Sequence, residues 1–327
     1  MSGFAAPLPA PPLRIVFLGT PELAATVLGG LLDGPDSIVA AFTRPDAPRG
    51  RGLALTAPPV AELARRHGVP VHQPASWRDG SASATLRELA PDLLVVAAYG
   101  RILPQAALDV PRFGSINVHT SLLPRWRGAD PIRRAMLAGD AETGVTIMGL
   151  VLEMDAGPVL CQRATAIGAQ ETADQLEARL AELGRTTLSE ALQAWRRGDI
   201  VAQEQDPAAV TFAPMIGRAD GQLDFRRPAR ELERTLRALS PWPGASATIR
   251  GTPLRLWSAE IDDAGVATAA PGEVLAVESA GIRIATGDGT LLLREVQAPG
   301  KRKMSAADWA RGFRLAAGES FAPVAPT

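Results

Sequence analysis

The chain has 327 residues, is 46% hydrophobic and carries a formal net charge of −1. This length and apolar content favour two domains, and the balanced charge provides no general attraction for nucleic acid. Its single cysteine, Cys161, excludes a disulfide framework and a cysteine-rich metal site, so we expect no metal and a reducing, cytoplasmic location. Residues 1–12 lack the pattern of a signal peptide and are expected to form a disordered lead-in, and no apolar run approaches the roughly 18 residues of a membrane span.

The first two hundred residues alternate between apolar runs and segments with helical spacing. Buried strands are predicted at LRIVFLG (13–19), SIVAAFT (37–43), LLVVAAYG (93–100) and GSINVH (114–119). Strands joined by helices predict a doubly wound α/β domain with a mostly parallel sheet over residues 13–200. The turn after the first strand reads Gly19-Thr20-Pro21 instead of G-x-G-x-x-G, which argues against a dinucleotide cofactor.

The pattern changes in the second half of the chain. ETGVTIMGLVL and GPVLCQRAT read as an antiparallel pair, a long helical segment follows, and residues 201–214 read as a polar linker. Residues 215–327 combine one helix with short strands and tight turns, including an Asp-Gly hairpin signal in ATGDGTLLL, and then a last helix. This arrangement predicts a small OB-like β-barrel as the second domain.

The segment INVHTSLLPRWRGADP (116–131) contains a possible catalytic pair. Asn117 and His119 are two residues apart on a predicted strand, so their side chains share one face near the carboxyl end, where such sheets bind ligands. An amide N–H and an imidazole can together stabilise an oxyanion, and an imidazole can transfer a proton. A histidine at a strand end is more often structural, however, so the pair alone leaves both interpretations open.

Asp155 supplies a carboxylate in the turn EMDAGPVL between the two predicted antiparallel strands. A carboxylate that orients His119 would favour the protonated imidazole, although aspartate before Ala-Gly is also a common turn residue. Together, the three residues indicate catalysis. His67 and His72, at a helix end and in a short strand, are expected to be structural or on the surface.

These motifs resemble those of the folate-dependent formyltransferases. The resemblance rests on Asn117, His119, the SLLP turn and Asp155, and it continues over about 13–327 through GTPELA, FTRPDAPRGRG, AYGRILP, LLPRWRGADPI, GDAETGVTIM and SPWPGA. Within that family, the chain is similar to the branch that formylates the methionine carried by initiator tRNA. The resemblance implies a Rossmann-like formyltransferase domain followed by an OB-like tRNA-binding domain, in a monomeric enzyme of translation initiation.

The resemblance also implies a reaction and a set of site residues. The formyl donor would be 10-formyltetrahydrofolate, and the acceptor would be the α-amine of methionine on the tRNA. Asn117 and protonated His119 would stabilise the oxygen of a tetrahedral intermediate, while Asp155 would hold His119 and help to position a proton-relaying water. The folate pocket would include the turn residues Ser121, Leu122, Leu123 and Pro124.

Two basic clusters are candidates for contacts with tRNA. The segment RPDAPRGRG (44–52) carries Arg44, Arg49 and Arg51, and a flexible basic loop of this kind can follow phosphates. Lys301 and Lys303 are the only two lysines among 34 basic residues. The simpler alternatives are a solvated surface loop for the arginines and a role in fixing domain orientation for the lysines.

Several positions depart from the family pattern: Leu53 and Ala54 stand where basic residues are usual, and Leu23, Thr120 and Asp130 also differ. Thr120 and Asp130 flank the predicted site, which puts donor affinity or rate in question but not the reaction. Other formyltransferases, acting on an amino sugar nucleotide or on a purine precursor, remain alternatives, as do a formyl-folate hydrolase and a non-catalytic tRNA-binding protein. The second domain argues against the purine enzyme and the hydrolase, and the Asn117–His119–Asp155 set argues against a non-catalytic protein.

Overall fold

The structure is a computed structural model that describes residues 4, 6–49, 54–262 and 269–323. Its helices are α1 Glu22–Leu32, α2 Pro59–Arg66, α3 Ser81–Leu89, α4 Gln105–Leu108, α5 Pro131–Ala138, α6 Ala173–Arg197, α7 Ala229–Ala238 and α8 Ala306–Phe313. The strands up to residue 166 are β1 Arg14–Gly19, β2 Ser37–Phe42, β3 Ala47–Arg49, β4 Ala54–Thr56, β5 Val71–His72, β6 Leu93–Ala97, β7 Ser115–His119, β8 Arg127–Gly128, β9 Glu142–Gly149 and β10 Val159–Ala166. The later strands are β11 Phe212–Ala213, β12 Ala245–Ile249, β13 Thr252–Asp262, β14 Val274–Glu278, β15 Gly281–Ala285, β16 Thr290–Gln297, β17 Met304–Ser305 and β18 Phe321–Ala322.

The chain divides into two compact units. The first comprises Met1–Pro131, Glu142–Ala166 and Glu177–Pro214, and the second comprises Ile132–Ala141, Ile167–Leu176 and Met215–Thr327. The second unit thus takes in two short segments that precede the predicted linker. No helix in the described part of the chain is both long enough and apolar enough to cross a membrane.

The first unit is built on a seven-stranded sheet in the order β10-β9-β7-β6-β1-β2-β5. The five strands from β5 to β7 are parallel, whereas β9 and β10 are antiparallel to their neighbours. All five residues of β6 are buried, as expected for a central strand covered on both faces. The carboxyl ends of β6 and β7 therefore lie side by side, and β7 ends at His119.

An aromatic contact fills the core beside β2 and β6. The indole N–H of Trp77 donates to the hydroxyl of Tyr99 at 2.9 Å, and the two rings meet edge to face with centroids 6.4 Å apart. Trp77 also lies against Phe42 of β2. Burial raises the pKa of the Tyr99 hydroxyl. Tyr99 is the only tyrosine of the chain, and it is almost fully buried.

The sequence predicts a disordered lead-in, but the described part of that segment packs on the first unit. Phe4 and Leu8 are both buried. The Phe4 ring lies 5.5 Å from that of Trp195, whose indole N–H donates to the carbonyl oxygen of Ala6 at 2.9 Å. Tertiary contacts with the end of α6 thus order a stretch that has no regular pattern of its own.

The second unit contains an antiparallel sheet in the order β14-β15-β16-β13-β12-β18, with β17 paired to β16. The sheet curls until its two edges meet, because Glu273 and Ser320 form an antiparallel bridge and the amide of Val274 donates to Glu319. The strands enclose one continuous apolar core with side chains from α7 and α8. The predicted β-barrel-like second domain is therefore observed, with hydrogen bonds along the seam between β14 and β18.

Candidate active site

Asn117 and His119 lie on β7 at the carboxyl edge of the parallel strands. Asn117 is half-buried and pairs with Val96 of β6 on one side and with Met148 of β9 on the other. His119 is the last residue of the strand and is 6% exposed. Their spacing directs both side chains to the same face, as the sequence predicts.

Both nitrogens of the His119 ring have a protein group nearby. Nε2 lies 2.9 Å from the carbonyl oxygen of Trp126. A carbonyl oxygen can only accept, so Nε2 donates a proton in this arrangement. Nδ1 lies 3.8 Å from Oδ2 of Asp155, which is the distance of an ion pair without a direct hydrogen bond. The ring is therefore held between a carbonyl oxygen and a carboxylate.

Asp155 is located in the turn between β9 and β10, and its backbone is left-handed, with φ of 50°. Its Oδ2 accepts a hydrogen bond from the amide of Gly128 at 2.8 Å. The carboxylate is 14% exposed, so water screens its charge only weakly. The structure thus brings together the three residues that the sequence singles out, although they come from a strand and from a distant turn.

Further polar groups surround the Asp155 turn. Gln205 donates from Nε2 to the carbonyl oxygens of Asp155 and Gly157, at 2.8 Å in both cases. Arg127 is buried and donates to Oε1 of Gln205. Gln205 is not among the site residues predicted from the sequence, because it belongs to the segment that reads as a linker.

The hydroxyl of Thr146 holds the backbone of the predicted folate turn, residues 121–124. Thr146 of β9 is fully buried, and its Oγ1 donates to the carbonyl oxygen of Ser121 at 2.6 Å while it accepts from the amide of Leu123 at 3.1 Å. Gln162 donates to the same hydroxyl at 2.9 Å and to the carbonyl oxygen of Leu123 at 2.7 Å. Leu122 and Pro124 are half-buried in this turn, and the Leu123–Pro124 peptide is cis.

Several large apolar side chains are exposed in the segments next to these residues. Ile102, which follows the carboxyl end of β6, is 87% exposed, and Val151, Leu152 and Met154 are exposed just before Asp155. Exposed apolar groups concentrated in the segment after β6 and in the turn that carries Asp155 are typical of a ligand-binding surface. Sequence patterns alone gave no signal for these residues, because their exposure depends on tertiary structure.

The predicted arginine loop is partly a hairpin. Its arms are β3 and β4, which pair in antiparallel register, and Gln73 holds the base by donating to the carbonyl oxygen of Arg44 and to the carboxylate of Asp46. The Arg44 side chain is exposed. Arg51 and the side chain of Arg49 lie outside the described residues, so their predicted contacts with tRNA stay predictions.

The two lysines lie in the second unit, after β16. Lys303 is paired with Glu295 at 2.7 Å and lies 5.3 Å from the centre of the Trp257 ring. Burial acts to raise the pKa of Glu295, but hydrogen bonds from Lys303 and Ser258 outweigh it, and the pKa is lowered. Lys301 is exposed and accepts a hydrogen bond at its carbonyl oxygen from Gln297. Lys303 therefore has a structural partner, while Lys301 presents its side chain to solvent.

No cluster of three or more potential metal-binding side chains occurs among the described residues. The three proposed catalytic side chains are an amide, an imidazole and a carboxylate. Such a set can stabilise negative charge on an oxygen and transfer protons, which is the requirement of acyl transfer to an amine.

Comparison with known proteins agrees with this chemistry. The formyl transferase family matches residues 13–192, and the formyl transferase C-terminal domain matches residues 215–314. The methionyl-tRNA formyltransferase of Ectopseudomonas mendocina (strain ymp) is 46% identical over 311 residues, which are 95% of this chain and 97% of that protein. The methionyl-tRNA formyltransferase of Aromatoleum aromaticum is 46% identical over 312 residues, which are 95% of this chain and 98% of that protein. The chain belongs to the formyl transferase family, and its predicted class of enzyme is confirmed.

Solved structures share the fold at lower identity. An N-formyltransferase from Helicobacter canadensis, in complex with folinic acid and dTDP-3-aminofucose, has a TM-score of 0.66 at 15% identity over 89% of this chain and all of that one. HypX from Aquifex aeolicus, in complex with tetrahydrofolic acid, has a TM-score of 0.61 at 20% identity. This chain is covered to 94% in that match but spans about half of HypX (48%). The predicted fold class, a Rossmann-like domain followed by a second β domain, is confirmed.

Proposed function

We propose that this protein transfers the formyl group of 10-formyltetrahydrofolate to the α-amine of methionine on initiator tRNA. The observation that carries the proposal is the placement of Asn117, His119 and Asp155 at one edge of the sheet, with the imidazole beside the carboxylate. The two relatives named above, both called methionyl-tRNA formyltransferase, support the choice of acceptor. We further propose that the protein works as a monomer in the cytoplasm.

In the proposed reaction, the methionine amine attacks the formyl carbon and the carbonyl π electrons move to oxygen. Asn117 and protonated His119 stabilise the oxygen by donating hydrogen bonds, which is the role of an oxyanion hole. Because Nδ1 of His119 is 3.8 Å from Asp155, it can also reach a reacting oxygen or a bridging water. The ammonium proton leaves through water toward Asp155, and the C–N bond to the folate then breaks as its nitrogen takes up a proton.

The surroundings of the three residues support a folate donor. A pterin and its aromatic extension are flat and largely apolar. Leu152 and Met154 expose apolar surface just before Asp155 in the chain, and Ile102 does so after the carboxyl end of β6. Ser121 and Leu123 keep their backbone fixed through Thr146, so the 121–124 turn can offer a rigid wall to a ring. A preformed wall lowers the entropy cost of binding a ligand.

The distribution of charge on the protein bears on where it can bind tRNA. Because the net charge is −1, any attraction for tRNA has to come from local clusters. We propose Arg44, Arg49 and Arg51 as contacts near the amino-acid end, and Lys301 and Lys303 as contacts with the body of the tRNA. Lys303 would exchange Glu295 for a phosphate on binding, which is feasible because both side chains are about half exposed.

The decisive experiment supplies the protein with 10-formyltetrahydrofolate and separately offers four acceptors: methionyl initiator tRNA, uncharged tRNA, an amino sugar nucleotide and a purine-precursor amine. We expect N-formylmethionine after hydrolysis of the tRNA product, with no turnover on the other three. Release of formate without any acceptor would instead identify a hydrolase. Tight binding of charged tRNA without formylation would support the non-catalytic alternative and overturn the proposal.

A further inference from the structure

Gln205 lies in the segment between α6 and β11, within the first unit. Its side chain is 8% exposed, although the segment is polar and its neighbours Glu204 and Asp206 are exposed. A buried primary amide in such a segment needs partners for both of its ends. Gln205 finds them in the first unit.

The two hydrogens of the Gln205 amide serve the turn that carries Asp155. One bond goes to the carbonyl oxygen of Asp155 itself and the other to that of Gly157, each at 2.8 Å. These carbonyls belong to the Asp155–Ala156 and Gly157–Pro158 peptides, so the amide fixes the backbone of the turn at two points immediately after the Asp155 side chain.

The oxygen of the Gln205 amide is held in turn by Arg127. The guanidinium Nε donates to Oε1 of Gln205 at 3.0 Å, and another nitrogen of the same group donates to Glu153 at 3.3 Å. Arg127 belongs to β8. The backbone N–H of the next residue, Gly128, donates a hydrogen bond to the Asp155 carboxylate. One short strand thus fixes the Asp155 side chain directly and the Asp155 backbone through Gln205.

The backbone of Asp155 is one that needs such support. A φ of 50° is unfavourable for a residue with a side chain, and it persists only where surrounding contacts enforce it. This conformation directs the carboxylate to the His119 ring at 3.8 Å. Loss of the Gln205 amide would let the turn relax and would move the carboxylate away from the imidazole.

We propose that Gln205 is a positioning residue, which acts on catalysis by holding Asp155 against His119. This inference rests on the proposed function, because its effect is expressed in the formyl-transfer step. The Gln205 amide donates to the backbone of the Asp155 turn, Arg127 holds the amide oxygen, and the effect on catalysis passes through the Asp155 carboxylate. Gln205 itself has no contact with the reacting atoms.

Two variants with similar shape remove the donated bonds. Gln205→Glu keeps an oxygen for Arg127 but has no hydrogen for the carbonyls, and Gln205→Met has neither. We expect kcat to fall about 10- to 100-fold in both, as small displacements of catalytic groups do, with KM unchanged for folate and tRNA. Gln203→Glu is the matched control, because it makes the same chemical change two residues earlier on an exposed side chain. It should leave kcat unchanged.

A double-mutant cycle separates positioning from general stability. If Gln205 acts through Asp155, then adding Gln205→Met to Asp155→Asn lowers kcat little further, because the shared pathway is already lost. In addition, the chemical shifts of the His119 ring should change alike in Gln205→Met and Asp155→Asn, because both variants alter the group that faces Nδ1, and this is measurable in a chain with three histidines. This second readout does not depend on turnover.

The outcomes are distinct. Fully additive losses, or unchanged chemical shifts of the His119 ring in both Gln205 variants, would overturn the positioning role. Wild-type protein that fails to formylate methionyl-tRNA would count against the proposed function, while the chemical shifts would still decide on Gln205. If Gln205→Met does not fold, Gln205→Glu carries the test, because it retains the partner of Arg127.

Discussion

Replacing Asp155 with asparagine tests the proposed ion pair with little change in shape. The amide can still accept from Gly128, and asparagine tolerates a φ of 50° better than most residues. The change removes one negative charge 3.8 Å from Nδ1 of His119. At an effective dielectric constant of about 20, a positive charge that develops on the ring in the transition state is stabilised by at most about 4 kcal/mol at this distance. Complete loss of that stabilisation would lower the rate by about three powers of ten.

The assay for this prediction is single-turnover formylation of methionyl-tRNA over a series of pH values. We expect a loss of between one and three powers of ten, together with a changed pH–rate curve, because an amide cannot take up the proton that the Asp155 carboxylate accepts in the proposed reaction. Glu190→Gln is the control. It removes the charge of an exposed carboxylate on α6, which is paired with Arg163 of β10. A normal rate and an unchanged pH–rate curve in Asp155→Asn would refute the assignment of Asp155.

Four further predictions concern other parts of the molecule. His119→Ala and Asn117→Ala should each lower the single-turnover rate by about 10²–10³ at an unchanged thermal midpoint, as loss of one oxyanion donor does; a near-normal rate would remove that residue from the site. Arg51→Ala should lower both tRNA affinity and turnover, whereas Lys301→Ala with Lys303→Ala should mainly reduce the salt dependence of tRNA binding, by roughly one counterion for each lost phosphate contact. Thr146→Val leaves buried groups of the 121–124 turn without a partner, so it should cost about 1–3 kcal/mol in the free energy of unfolding and raise KM for folate, as measured by denaturant titration and initial rates. Because the pKa of Glu295 is lowered in the folded state, its pair with Lys303 stabilises the protein at neutral pH and loses this effect as pH falls through that pKa; Lys303→Met should therefore lower the thermal midpoint at neutral pH and match the wild type in acid.

Local patterns were sufficient for the sheet of the first unit and for the three proposed catalytic residues. Strands β1, β2, β6 and β7 all lie within predicted apolar runs, because buried parallel strands leave a continuous signal. The shared face of Asn117 and His119 follows from the two-residue period of a strand. Asp155 was marked by its turn, although its distance from His119 could come only from the structure.

The missed features all depend on contacts between residues far apart in the chain. Gln205 meets Asp155 and Gly157 across 50 and 48 residues, and Phe4 meets Trp195 across most of the first unit. The two-residue strands β8 and β11 are too short to produce a periodic pattern, yet their pairing brings Gly128 to the Asp155 carboxylate. Neither residue type nor spacing reports such contacts.

The Trp77–Tyr99 contact provides an intrinsic fluorescence signal for unfolding of the first unit. Light absorbed by the single tyrosine passes efficiently to an indole whose ring is 6.4 Å away, so folded protein should emit almost entirely as tryptophan. Opening of the core beside β2 and β6 separates the two rings and releases tyrosine emission. Since the second unit contains no tyrosine, this signal follows the unfolding of the first unit alone, while total tryptophan emission follows both. The order in which the two units lose structure can thus be observed in unlabelled, unmodified protein.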